Sequence, residues 1–140
     1  MQAFAVTAPG TLDFGPYPDP APRPGWAVVE LQAAALNRRD LGVRRGMQGA
    51  SPLALPFVPG SDGAGIRRDT GEEVVILPSV AWGDREDAPG PQFRILGGQD
   101  DGTFAELIAI PEENLFPRPT RPRRGGAAAG RGSPRGWQSA

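Results

Sequence analysis

Apolar and polar residues alternate in short runs as far as Pro119, and nearly every run is cut by glycine or proline. Gln2 to Thr7 predicts a strand, Pro9-Gly10 a turn, and Thr11 to Phe14 a second strand. Prolines at 16, 18, 20, 22 and 24 remove ladder donors and exclude a central strand, which leaves an extended surface connection to Gly25. Trp26 to Leu36 is the strongest strand signal, with Ala27, Val29 and Leu31 on one face and Trp26, Val28 and Glu30 on the other. Its end delivers Asn37.

Arg38 to Arg45 has helical spacing at Leu41, Arg44 and Arg45, weakened by Gly42, and Met47 to Pro56 reads as a loop. Gly63 to Arg68 and Glu72 to Leu77 predict two strands joined at Asp69-Thr70-Gly71, with Val74, Val75 and Ile76 as the β-branched run. Ser79 to Gln92 is a surface loop in which Trp82 is the one anchor. Phe93 to Leu96 predicts a short strand, Gly97 to Gly102 a turn with Asp100-Asp101 at its tip, and Thr103 to Ile110 a last strand ended by Pro111. Many short strands, frequent turns and little helix predict a mainly β domain, a partly open barrel with short helices.

Between the loop and the next strand lies Leu55-Pro56-Phe57-Val58-Pro59-Gly60-Ser61-Asp62-Gly63-Ala64-Gly65. Its prolines fix φ and its glycines admit close backbone approach, so Ser61 and Asp62 are held between rigid neighbours. Those glycines run Gly-x-x-Gly-x-Gly and precede a strand, the reverse of a phosphate-binding Gly-x-Gly-x-x-Gly, so they read as turn glycines.

Composition removes whole classes of chemistry. The 140 residues contain no cysteine and no histidine, which excludes disulfides, thiolate or imidazole metal ligands and histidine acid–base work. All fifteen basic residues are arginine, so Schiff-base catalysis is excluded as well. No segment approaches the ~20 apolar residues of a membrane span, and the start lacks a basic leader, so the expectation is a soluble cytoplasmic protein.

The net charge of −1 conceals an asymmetry. Residues 1–117 hold nine arginines against sixteen acids, leaving −7, while residues 118–140 hold six arginines and no acid, giving +6. From Thr120 the chain has no Leu, Ile, Val, Met or Phe. Ordering such a segment costs roughly 1–2 kcal/mol per residue in backbone entropy, far more than burying Trp137 returns, so residues 118–140 are expected to be disordered. An Arg/Gly/Ala/Pro mixture of this kind is what GC-rich DNA gives when read out of frame. A nucleic-acid-binding tail is the rival reading, set aside because repeated Arg-Gly-Gly units are missing.

Asn37-Arg38-Arg39-Asp40-Leu41, Val43-Arg44-Arg45-Gly46, Pro59 to Gly65, Gly83-Asp84, Gly102 to Leu107 and Pro111 to Leu115 stand together in a specific order. In that order they resemble the first domain of medium-chain dehydrogenases/reductases, most closely the zinc-free, quinone-oxidoreductase-like branch. The resemblance implies a GroES-like, alcohol dehydrogenase-type fold for residues 1–117, cut off before a dinucleotide-binding Rossmann domain. It implies hydride transfer from NADP(H) to a small-molecule quinone or carbonyl in a full-length relative, with this chain inactive by itself. In zinc-dependent relatives a cysteine ligand stands at the position of Asn37 and a histidine at that of Ser61, so no zinc is expected here.

By the same resemblance Asn37, Ser61 and Asp62 become the catalytic candidates, with the Asn37 carboxamide donating a hydrogen bond to a substrate carbonyl, and Arg38 the residue that reaches cofactor phosphates. Arg39 and Arg44 read either as ligands for an anion or as a solvated helix face, and Asp40 as a brace for the helix start. Trp26, Phe57, Phe93 and Phe104 are assigned to core or interface. Two other readings stay open: a GroES-like interaction module without catalysis, and a non-functional remnant that self-associates through an exposed docking surface.

Overall fold

The computed structural model describes residues 1–119 except Pro22, Gly49 and Ala50. The arginine-rich segment from Thr120 onward, expected to be disordered, lies outside the described residues. Arg118, placed in that segment by the sequence reading, is tied to the sheet: its N–H donates to Glu73 O at 2.8 Å and its guanidinium pairs with the Glu73 carboxylate at 2.7 Å.

The strands β1 (Gln2–Ala8) and β2 (Thr11–Pro16) form a hairpin turned at Pro9-Gly10, where Gly10 adopts φ +87°. After the proline-rich connection, β3 (Trp26–Ala35) runs into the short helix α1 (Arg38–Val43). Two minimal strands, β4 (Met47–Gln48) and β5 (Ser51–Pro52), pair within the segment read as a loop. Then come β6 (Asp62–Arg67), β7 (Glu73–Ile76), β8 (Ser79–Val80) and β9 (Arg94–Ile95). The described chain finishes with β10 (Leu107–Pro111), a 3₁₀ turn at Glu112–Asn114 and β11 (Leu115–Pro117).

Five of these strands make one antiparallel sheet in the order β10-β3-β6-β7-β11. The hairpin is a separate two-stranded sheet tied to the approach to β10 and to Phe57: Phe4 N–H donates to Phe104 O at 2.8 Å, Glu106 N–H to Gln2 O at 3.0 Å and Val6 N–H to Phe57 O at 2.8 Å. The result is the mainly β, partly open barrel expected from the sequence.

The core follows from alternation along each strand. Val29 points inward from β3, Val74 and Ile76 from β7, and Ile108 and Ile110 from β10; they meet Val80 and Leu96 in one cluster. Each fully buried aliphatic side chain contributes about 1.5–3 kcal/mol. A second cluster of Val6, Val43 and Phe57 seats α1 against the hairpin.

The strand read as Thr103 to Ile110 pairs with β3 only from Leu107. Its first residues turn aside to the segment before Ser61: Gly102 N–H donates to Val58 O at 2.7 Å, Thr103 N–H to Gly60 O at 3.0 Å and Phe104 N–H to Pro59 O at 3.0 Å. Backbones pass so closely here that a methyl added at Gly102 would meet Gly60 O, with Pro59 O at 2.5 Å. Both carboxylates at the tip of the turn from Gly97 to Gly102 have partners. The Asp101 carboxylate accepts from Val58 N–H at 2.9 Å, and Asp100 pairs with Arg94 at 2.7 Å. Trp82 anchors its loop edge-on against Phe93, with ring centroids 5.2 Å apart.

Candidate functional site

Two features of β3 bring distant residues together. The register between β3 and β6 shifts between Leu31 and Ala33, and beyond that bulge the strands continue until Ala35 lies opposite Asp62. Asn37, two residues further on, therefore arrives beside Ser61 and Asp62.

Asn37 is the N-cap of α1, in extended conformation at φ −119° and ψ 152°. The helix start is braced by Asp40, whose Oδ2 accepts the Asn37 backbone N–H at 2.7 Å. With the backbone so held, the Asn37 carboxamide turns toward β6, and its Nδ2 donates to Ser61 Oγ at 3.2 Å and to Asp62 Oδ2 at 2.7 Å. The carboxylate fixes which end of the carboxamide faces it, since only the N–H end can donate.

Sequence reasoning brought the three catalytic candidates to one place, and the structure unites them in one hydrogen-bonded cluster. It differs in one respect. Both Asn37 amide protons are directed at Ser61 and Asp62, so the carboxamide does not offer a free donor to a substrate carbonyl. The Ser61 hydroxyl accepts from Asn37 and keeps its own proton to give.

Ser61 is 7% exposed and Asp62 half-buried. The Asp62 carbonyl accepts the hydroxyl of Thr103, which is 1% exposed, at 3.0 Å. Sequence reasoning missed Thr103; the signal was its place directly after Gly102, in a segment that could be read as an ordinary strand.

Of the arginines on α1, Arg38 is exposed and has no side-chain partner among the described residues, so it is free to meet a ligand. Arg39 is half-buried and turned onto backbone carbonyls. Its Nη1 donates to Leu96 O at 2.9 Å and Gly97 O at 3.3 Å, and burial lowers its pKa, opposed by the nearby Asp40 charge. Arg39 Nη2 and Asp40 Oδ1 are buried without a hydrogen-bond partner. Arg44 is exposed, the solvated face that was the alternative reading. Of the aromatics assigned to core or interface, Phe57 is buried in the core, Trp26 lies half-buried under the Arg23 guanidinium at 4.7 Å, and Phe93 and Phe104 are half-buried.

A cleft of about 790 Å³ lies elsewhere, lined by Tyr17, Trp26, Leu53, Phe57, Asp101 and Leu107 among others. Its acids are already matched: Asp19 by the Met1 ammonium, Asp100 by Arg94, Asp101 by Val58 N–H and the Tyr17 hydroxyl. Chemistry with unspent hydrogen-bonding capacity is at the Asn37–Ser61–Asp62 cluster instead.

Zinc does not suit that cluster. It offers one carboxylate, one hydroxyl and a carboxamide whose nitrogen is already donating, and the sequence supplies neither thiolate nor imidazole. Among the described residues no group of three or more acids is placed to hold a metal ion. No helix among them is long and apolar enough to cross a membrane.

This chain is 37% identical over 105 residues to a zinc-type alcohol dehydrogenase-like protein of Schizosaccharomyces pombe, covering 69% of this chain and 30% of that one. Over 112 residues it is 30% identical to a quinone oxidoreductase of Mus musculus, covering 79% and 30%. Its fold matches a crystal structure of an NAD-dependent alcohol dehydrogenase with TM-score 0.73 at 38% identity, over 84% of this chain and 39% of that one. The quinone oxidoreductase of Thermus thermophilus, solved with NADPH, matches with TM-score 0.61 at 26% identity, over 85% and 32%. The chain thus spans about a third of the length of the curated relatives it matches. With residues 23–120 matching the alcohol dehydrogenase GroES-like domain, the chain belongs to that family and, through it, to the medium-chain dehydrogenases/reductases.

Proposed function

We propose that these residues are the substrate-side domain of a zinc-free, NAD(P)H-dependent reductase of the quinone-oxidoreductase-like kind, with a quinone, enone or similar carbonyl compound as acceptor. The observation that carries the proposal is the Asn37–Ser61–Asp62 cluster, in which the Ser61 hydroxyl is both held and left with a proton to donate. Reduction of a conjugated carbonyl places negative charge on its oxygen, and a preoriented donor there stabilises the transition state. Removing one such donor typically costs about 10²–10³ in rate. Asn37 orients Ser61, Asp62 fixes Asn37, and Thr103 fixes Asp62 through its carbonyl.

The nicotinamide cofactor, when bound, supplies the hydride. Arg38 is the residue of this chain suited to its phosphates, being exposed and without a side-chain partner among the described residues. The sequence holds no Gly-x-Gly-x-x-Gly cradle, so hydride transfer requires a nucleotide-binding domain to bring donor and acceptor into contact. Leu36 and Leu41 flank the cluster at 85% and 64% exposure, an apolar face suited to such a domain.

An NMR titration of the labelled chain with cyclohexenone tests the site. Saturable shifts at Ser61, Asp62 and the Asn37 side-chain amide, abolished by Ser61→Ala, are expected. Shifts confined to the Tyr17–Trp26 cleft would place the acceptor elsewhere. These 140 residues by themselves are expected to show no NADPH oxidation, and a quinone-dependent rate would contradict the need for a second domain.

The exposed leucines also favour a second reading, an interaction module that uses the same face without catalysis. Light scattering that shows dimers or larger species, reversed by Leu36→Ser with Leu41→Ser, together with no acceptor-induced shifts, would select it.

A further inference from the structure

We infer that Arg39 is a positioning residue that holds the Asn37 carboxamide in register with Ser61, an inference that rests on reading these two as the acceptor site. The six residues of α1 are too few to stand as a helix by themselves, so attachments decide where its N-cap points. Val43 sinks into the cluster with Val6 and Phe57 and anchors the far end. Asp40 braces the first turn locally. The tie at the near end is Arg39, whose Nη1 bridges Leu96 O and Gly97 O.

The turn that Arg39 grips lies against the residue that precedes Ser61. A Cβ on Gly97 would lie 2.6 Å from Gly60 N and 2.8 Å from Gly60 C, so these backbones touch and neither moves without the other. A closed loop of contacts results: Asn37 to Ser61 by the carboxamide, Ser61 to Gly60 by the chain, Gly60 to Gly97 by packing, Gly97 to Arg39 by a hydrogen bond, and Arg39 to Asn37 through the helix. Arg39 Nη2 is buried and unpartnered, so the guanidinium's hydrogen bonds among the described residues are the two to those carbonyls.

The test uses the 140-residue chain, isotope-labelled, and reads the exchange of the Asn37 side-chain amide with water and the Ser61 backbone shift. In Arg39→Ala that exchange is expected to quicken about tenfold or more, as for loss of a charge-assisted hydrogen bond, while β3–β6 amides stay in place. Arg39→Lys, which keeps a long donor, should restore the native signals. Val43→Ala, equally disruptive to α1 packing, should lower the unfolding midpoint yet leave the Asn37 amide unchanged in folded molecules. If Arg39→Ala does not fold, Arg39→Gln carries the test: it is polar but too short to reach the carbonyls, and a folded chain should release Asn37.

A folded Arg39→Ala or Arg39→Gln chain with native Asn37 exchange would overturn the inference. So would Val43→Ala loosening Asn37 to the same degree. The cyclohexenone titration of the unaltered chain is read separately: its failure counts against the acceptor site and leaves the Arg39 result standing.

Discussion

Gly102→Ala tests how tightly the platform under Ser61 is built. The added methyl would meet Gly60 O and lie 2.5 Å from Pro59 O and 2.6 Å from Gly97 Cα, all backbone atoms with no rotamer to yield. Relief requires the paired segments 58–60 and 102–104 to part, which lengthens Gly102 N–H to Val58 O (2.7 Å), Thr103 N–H to Gly60 O (3.0 Å) and Phe104 N–H to Pro59 O (3.0 Å). Overpacking typically costs about 1–3 kcal/mol, and each weakened hydrogen bond roughly 0.5–1.5 kcal/mol. A loss of about 3–5 kcal/mol is expected, a large part of the roughly 5–15 kcal/mol that holds a domain folded. Urea unfolding followed by fluorescence of Trp26 and Trp82 measures it. Gly10→Ala is the control: its φ is +87° but nothing lies within 4 Å, so it isolates the left-handed backbone cost, about 1–2 kcal/mol. Gly102→Ala no more destabilising than Gly10→Ala would refute the close-packed junction.

Tyr17 is the only tyrosine, so its titration can be followed alone by near-ultraviolet absorbance. Its pKa is pushed up to about 12 by burial first and by Asp101 second, and Asp101→Asn should lower it only part of the way. Because the folded state holds that proton more tightly than the unfolded chain, the associated stability is complete below pH ~10 and is lost as pH rises toward 12. Thr103→Val keeps the shape of a buried side chain but removes the hydroxyl that Asp62 O accepts; a loss of about 1–3 kcal/mol by urea unfolding is expected, with Thr103→Ser recovering most of it. Since the cluster does not suit zinc, dialysis against a chelator should leave the unfolding midpoint unchanged, and a fall would show that a structural metal had been removed.

How far the sequence disclosed this arrangement depends on what each contact recognises. β3 was legible from its alternation, because one face must be apolar to be buried, and β7 from its run of β-branched residues. The meeting of Asn37 with Ser61 and Asp62 was legible only through the resemblance; physically it follows from the bulge after Leu31 and the pairing of Ala35 with Asp62, and neither leaves a residue-type mark. β11 was missed because three residues ending in proline give no period, and an edge position tolerates the missing donor. Thr103 to Glu106 read as strand because they are extended, yet their N–H groups donate to Gly60, Pro59 and Gln2, and β3 meets them only where Leu31 N–H donates to Glu106 O. The partners of Asp101 and Arg39 were illegible for a common reason. Charged residues in a turn and on a short helix suggest solvent, but here their partners are the N–H of Val58 and the carbonyls of Leu96 and Gly97. Every residue has a carbonyl and nearly every one an N–H, so a side chain that binds backbone leaves no complementary residue elsewhere in the chain. The contacts that hold this site in shape are of that kind, which is why its members could be named from the sequence while its supports, the local brace Asp40 apart, could not.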